Sequence, residues 1–168
     1  MNLKLNHDTL RNVHIQPACV AVEQLSMTMR SESAGNSCSG LGVVSCGIPK
    51  ISWKVQCYEF PFLFRTWNIS FDENTFIKMD IERYECTLLP RLVDWFLTVK
   101  TKPTLHVAMH GDFAKCTSTQ YKEIDRLVHG YKFGTCGDTV KIQNLSTTDI
   151  ENMCNVGDLL LSDVRPPL

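Results

Sequence analysis

One segment limits what this chain can fold into more than any other: residues 87–111, TLLPRLVDWFLTVKTKPTLHVAMHG. Leu88, Leu92, Trp95 and Val99 recur at helical spacing, and Leu89, Val93 and Phe96 widen the apolar stripe. Only Arg91 and Asp94 break that surface in the middle, so a helix here must be buried over much of its circumference. Thr87 is the expected N-cap, placing Pro90 in the first turn, where its missing N–H costs nothing. Lys100 and Lys102 then sit at the negative end of the helix dipole, and Pro103 stops the helix. Leu105, Val107 and Met109 alternate with His106, Ala108 and His110 at a strand period closed by Gly111. A main helix over about 87–101 and the strand after it form the expected core, with Leu92, Trp95, Phe96 and Val107 inside.

The rest of the chain is ordinary in amount and even in charge. Its 168 residues suit one domain, burying roughly two-thirds of the unfolded surface. Residues 1–50 carry four basic and three acidic groups, 51–111 seven of each, and 112–168 six and eight, for a net charge of −1. No basic stripe arises from that distribution, so sequence-specific nucleic-acid binding is not expected. The opening MNLKLNHDTL lacks the apolar run of a signal peptide. Nor does any stretch reach the roughly 18 apolar residues of a membrane span. A reducing, cytosolic setting is the expectation, with the eight cysteines as free thiols. The sequons Asn68-Ile69-Ser70 and Asn144-Leu145-Ser146 are expected to be chance matches for the same reason.

In chain order, residues 1–30 alternate weakly through Val13, Ile15, Cys19, Ala21, Leu25, Met27 and Met29. They read as edge strands or an extended arm. The Ser- and Gly-rich stretch 31–47 reads as a linker, so the division expected is an arm with its linker, 1–47, and a globular body, 48–168. Ile51, Trp53, Val55 and Cys57 form a half-buried strand that places Trp53 in the core. Phe60, Phe62 and Phe64 continue that period past a bend at Pro61, and Trp67, Ile69 and Phe71 make a second strand. A polar turn at 72–74 returns the chain through 75–81 as a hairpin. Residues 118–129 spell a short amphipathic helix with Tyr121, Ile124, Leu127 and Val128 inward. A turn at 134–138, a strand over 139–145, a capped helical turn over 147–153 and a last strand at 159–161 complete the chain. The fold class expected is α+β: a mostly antiparallel twisted sheet on one main helix, with short C-terminal helices.

No catalytic constellation stands out. His106 and His110 lie roughly 13 Å apart along one strand face, too far to share an ion with Cys116, so no metal and no cofactor is expected. The glycines of 131–137 lack the spacing and the Gly-Lys-Ser/Thr ending of a phosphate loop. The aromatic run 58–64 offers more apolar surface than one sheet face can use, and its exposed share would meet another protein or a membrane surface.

Leu92-Val-Asp-Trp95, Lys100-Thr-Lys-Pro103 and the apolar strand ending His110-Gly111, set after a strand and hairpin, resemble the central region of rhabdovirus matrix proteins, the small plant-infecting type above all. The likeness covers about residues 51–111. It implies a non-enzymatic viral structural protein that self-associates head to tail, condenses the nucleocapsid and links it to the envelope. It also implies a place in the virion beneath the envelope and in the host cytoplasm. The partners implied are the chain itself in an open or helical layer, the viral nucleoprotein and the inner membrane face. On this reading Leu3, Leu5, Val13 and Ile15 of the arm and Phe60, Phe62 and Leu63 of the body carry the contacts. The arm lacks the strongly basic character of the animal relatives, and no Pro-rich budding motif is present. Two other classes remain open: a monomeric adaptor using the exposed aromatic patch, and a small cytosolic zinc protein using His106, His110 and Cys116.

Overall fold

The computed structural model describes residues 18–33, 36–38, 51–81, 84–110, 116–136 and 156–164. The fold is α+β, with two mixed sheets and three helices among the described residues. The first sheet holds β1 (Cys19–Ala21), β2 (Leu25–Ser33), β3 (Asn36–Cys38) and β4 (Ile51–Glu59) in the order β1-β4-β2-β3. β2 runs antiparallel to β4 from Leu25↔Cys57 to Ser31↔Ile51, and β1 runs parallel to it with Cys19 opposite Cys57. Position 47 itself lies outside the described residues. Within the stretch read as an arm and linker, Cys19–Ala21, Leu25–Ser33 and Asn36–Cys38 are therefore strands of the same sheet as β4. The reason is the backbone of β4, whose N–H and C=O groups need partners on both edges. The arm residues Leu3, Leu5, Val13 and Ile15 lie outside the described residues.

β4 runs directly into α1 (Phe60–Thr66), where a bent strand was expected. Phe60, Leu63 and Phe64 fit helical spacing as well as Phe60, Phe62 and Phe64 fit a strand. Pro61 in the first turn decides between them, because its fixed φ is already helical and its missing N–H is one that a first turn leaves free. The helix closes with Ile69 N–H on Phe64 C=O (2.9 Å) and Asn68 N–H on Arg65 C=O (3.2 Å), and Asn68 takes the left-handed conformation, φ 52°. That is a complete Schellman turn. Residues 67–75 are a loop, not a second strand, and Asp72 does form the expected polar turn, its carboxylate accepting from Asn74 N–H at 3.0 Å.

The second sheet orders β5 (Phe76–Met79), β6 (Thr104–His110), β8 (Val156–Ser162) and β7 (Phe133–Cys136) as β5-β6-β8-β7. β5 pairs parallel with β6 through α2 (Glu85–Thr98), so the expected hairpin is replaced by a strand–helix–strand unit. α2 starts two residues before Thr87, with Tyr84 at its N-cap and Pro90 one turn inside. Leu88, Leu89, Leu92, Val93 and Phe96 are buried as the spacing predicted, Glu85 and Cys86 are buried besides, and Trp95, expected inside the core, is half-buried against it. Leu105, Val107 and Met109 of β6 and Leu159 and Leu161 of β8 meet them. α3 (Ser118–His129) lies where expected, with Tyr121, Ile124, Leu127 and Val128 buried. Thr117 and Gln120 form its capping box. β7 occupies part of the expected turn at 134–138, and the strand and helical turn expected over 139–153 lie outside the described residues.

Three sets of contacts lock the elements together. Trp95 sits at the centre of an aromatic cluster, with ring centroids 5.3 Å from Phe60, 5.4 Å from Phe64, 5.2 Å from Phe71 and 5.0 Å from Phe96. Lys102 donates to Gly130 C=O, stands 3.6 Å from Asp163 and lies 5.3 Å from the centroid of Tyr131, tying the α2–β6 turn to the ends of α3 and β8. Burial first, and the Asp163 carboxylate second, push the Tyr131 phenol above its usual range. The third set is covalent. Cys19 bonds Cys57 and Cys86 bonds Cys116, with Cα atoms 4.3 and 5.1 Å apart. Free thiols were expected; the parallel register of β1 on β4 sets one pair, and the chain's return to the start of α2 just before α3 sets the other.

Trp95→Ala should cost about 3 kcal/mol and lower Tm by roughly 10 °C, because it removes the shared partner of four rings. Thermal melts of both proteins check it. Reducing the two bridges, which span sequence separations of 38 and 30 residues, should cost about 3 kcal/mol each. Denaturant titrations with and without dithiothreitol measure that loss directly.

Candidate functional site: an apolar interaction surface

The aromatic run 58–64 divides at α1. A helix turns about 100° per residue, so Phe60 and Leu63 point into the core beside the half-buried Phe64. Phe60 and Leu63 are thus core residues, not contact residues. Phe62 alone of the three expected contacts faces outward, 37% exposed, and stacks on Tyr58 with centroids 5.5 Å apart and planes 11° from parallel. Trp67 and Ile69, read as strand residues, are exposed in the loop after α1.

A second apolar surface arises on the first sheet. Residues directly paired across antiparallel strands share a face. Leu25 with Cys57 and Met27 with Val55 therefore line one side of β2 and β4, and Trp53 extends that side along β4. Cover falls away along the strand. Cys57 is fully buried, Val55, Leu25 and Met27 are partly so, and Trp53 is 43% exposed. Trp53 is consequently a surface residue, not the core residue expected, because the helices reach only the α1 end of this sheet. The opposite face carries the exposed Ser52 and Lys54 and the half-buried Gln56, whose amide donates to Leu25 C=O at 2.9 Å. An amphipathic strand pair thus presents its apolar side, ending in a Trp, beyond the core. What this arrangement can do is bind apolar surface.

The histidines of β6 are engaged by carboxylates. His110 Nδ1 lies 3.0 Å from Glu85 Oε1, and that oxygen also accepts Ile81 N–H at 3.1 Å. The other ring nitrogen of His110 is 3.8 Å from Asp80, and His106 Nε2 is 3.3 Å from Asp158. Glu85 is 1% exposed and opens α2, so its charge meets the positive end of the helix dipole. Cys116 is bonded to Cys86, so it does not join His106 and His110. Among the described residues no group of three or more His, Cys, Asp or Glu side chains could hold a metal ion. The cluster ties the start of α2 to the end of β6.

The surface on β2 and β4 was only half legible in the sequence. Each strand's alternation is plain, but the register that merges the two apolar sides is set by distant pairing. No described helix is long and apolar enough to cross a membrane. No protein-family model, no curated protein and no solved structure matches this chain.

Glu85→Ala should destabilise by about 1–3 kcal/mol, since Ile81 N–H and His110 lose their acceptor inside the fold. Glu85→Gln, which keeps a carbonyl oxygen, should lose less. Urea melts of the two variants rank them.

Proposed function

We propose that this chain is a non-enzymatic structural protein that associates with copies of itself through the apolar side of β2 and β4. The supporting observation is the run of Leu25, Met27, Val55 and Trp53 on one sheet face, where the last side chain stands 43% exposed beyond the core. Covering a Trp removes a large apolar area from water, and aromatic residues are enriched where proteins meet. The histidines and carboxylates, by contrast, are engaged in holding elements together.

The resemblance to rhabdovirus matrix proteins offers the most specific form of this reading: a layer under an envelope, with nucleoprotein and the inner membrane face as partners. That placement is cytoplasmic, and the paired cysteines weigh against it. Self-association stands apart from the placement. It is the part proposed here, and the monomeric adaptor presenting Phe62 and Tyr58 is its competitor.

Light scattering across protein concentration tests it on the full chain, on Trp53→Lys and on a chain lacking residues 1–17, a cut that spares every described strand. The full chain should gain mass with concentration and Trp53→Lys should remain monomeric. Because Trp53 is exposed, that variant should melt within about 0.5 kcal/mol of the parent. Loss of association on the truncation alone would shift the contact to Leu3, Leu5, Val13 and Ile15. A strict monomer throughout would end the proposal in favour of the adaptor.

A further inference from the structure

We infer that Asn68 is an acceptor for an N-linked glycan and that the chain matures in an oxidising compartment. The inference is independent of self-association and concerns where the protein folds. Its first support is covalent. Every cysteine whose side chain is described is in a bridge, Cys19 with Cys57 and Cys86 with Cys116. Such bonds persist in oxidising surroundings and are reduced in a cytosol. Each forms as two thiols pass two electrons and two protons to a dithiol–disulfide oxidoreductase, whose own disulfide becomes a dithiol.

The second support is the place of the sequon. Asn68-Ile69-Ser70 carries the Asn-x-Ser pattern with no Pro between. All three residues are exposed, in the loop that follows α1. The backbone N–H groups of Asn68 and Ile69 are spent on the Schellman turn. Neither the carboxamide of Asn68 nor the hydroxyl of Ser70 enters a hydrogen bond with a described residue. The turn itself explains an Asn at position 68, since φ 52° is a conformation that Gly and Asn tolerate. It does not explain a hydroxyl two residues on. Trp67 and Ile69, 41% and 44% exposed, flank the acceptor with apolar surface that the C–H face of a sugar ring would cover.

In the reaction, Asn68 Nδ2 forms a bond to C1 of the first sugar of a lipid-pyrophosphate-linked oligosaccharide. The bond from C1 to the pyrophosphate oxygen breaks, the lipid pyrophosphate leaves with the electron pair, and the carboxamide gives one proton to a base of the transferase. Nothing is oxidised or reduced in this step. The second sequon, Asn144-Leu145-Ser146, lies outside the described residues.

The test sends the full chain through a eukaryotic secretory pathway behind a cleavable leader, beside Ser70→Ala, Ser70→Thr and Ser146→Ala. Peptide mapping after peptide N-glycosidase should find Asn68 converted to Asp in the parent, in Ser70→Thr and in Ser146→Ala, and intact in Ser70→Ala. All these variants leave Asn68 in place, so the αL turn is undisturbed and loss of the glycan cannot be ascribed to misfolding of α1. An unmodified Asn68 in secreted, folded protein would overturn the acceptor assignment. Alkylation without reductant should leave Cys19, Cys57, Cys86 and Cys116 unlabelled in the secreted chain. A leaderless chain from cytosol should label at all four and melt at a lower temperature. Equal melting temperatures for the two forms, or labelling of the secreted one, would overturn the oxidising compartment. Neither result bears on the light-scattering outcome.

Discussion

The packing of Trp95 against Phe60, Phe64, Phe71 and Phe96 is the contact on which the rest of the structure depends. Phe60 and Phe64 belong to α1, which continues from the first sheet. Trp95 and Phe96 belong to α2, which covers the second. Phe71 enters from the loop between them. Val20 of β1 and Val22 just after it also pack against the core. Edge-to-face rings add about 0.5–1.5 kcal/mol per pair beyond their buried area, so a hub with four partners is an efficient way to join two layers.

The bridges act at the margins of that cluster. Cys19–Cys57 fastens the short β1 to β4, a strand of three residues whose ladder alone is weak. Cys86–Cys116 fastens the first turn of α2 to the residue preceding the capping box of α3, close in sequence to the buried Glu85 that accepts from Ile81 and His110. Covalent and polar ties thus collect at element ends, where helix backbone groups lack internal partners. The middles of α2, β6, α3 and β8 add apolar burial, with surface pairs such as His106–Asp158 on their outer sides.

Among the described residues such an arrangement leaves Trp53, toward the far part of the first sheet, 43% exposed. β4 has nine residues but only its last part meets α1 and the core. The apolar side continues regardless, because strand alternation has no means of stopping where the cover stops. A face of this kind either binds something or invites aggregation. The self-association proposed above would use that surface with no further machinery.

α2, β6 and α3 were determined by the sequence itself. Their apolar periodicities run over seven or more residues, and Leu92, Phe96, Val107, Ile124 and Leu127 all lie in the core that the spacing required. Of β8 the sequence marked only 159–161. The N-cap of α2 lies at Tyr84, three residues before the expected Thr87: Thr87 resembles a cap, while the buried Glu85 belongs to a contact with β6 that no local pattern announces. Residues 60–64 satisfied two periods at once, and Pro61 together with the rings around Trp95 decided for helix. Trp53 looked like core for the same local reason that Val55 did. Only the limited reach of the helices over the first sheet separates them. Which cysteines bond, that β1 and β2 belong beside β4, and that β5 lies parallel to β6 were decided by tertiary structure alone. Each depends on residues far apart in the chain, and the free energy that selects one pairing over another comes from the shared core that those pairings enclose.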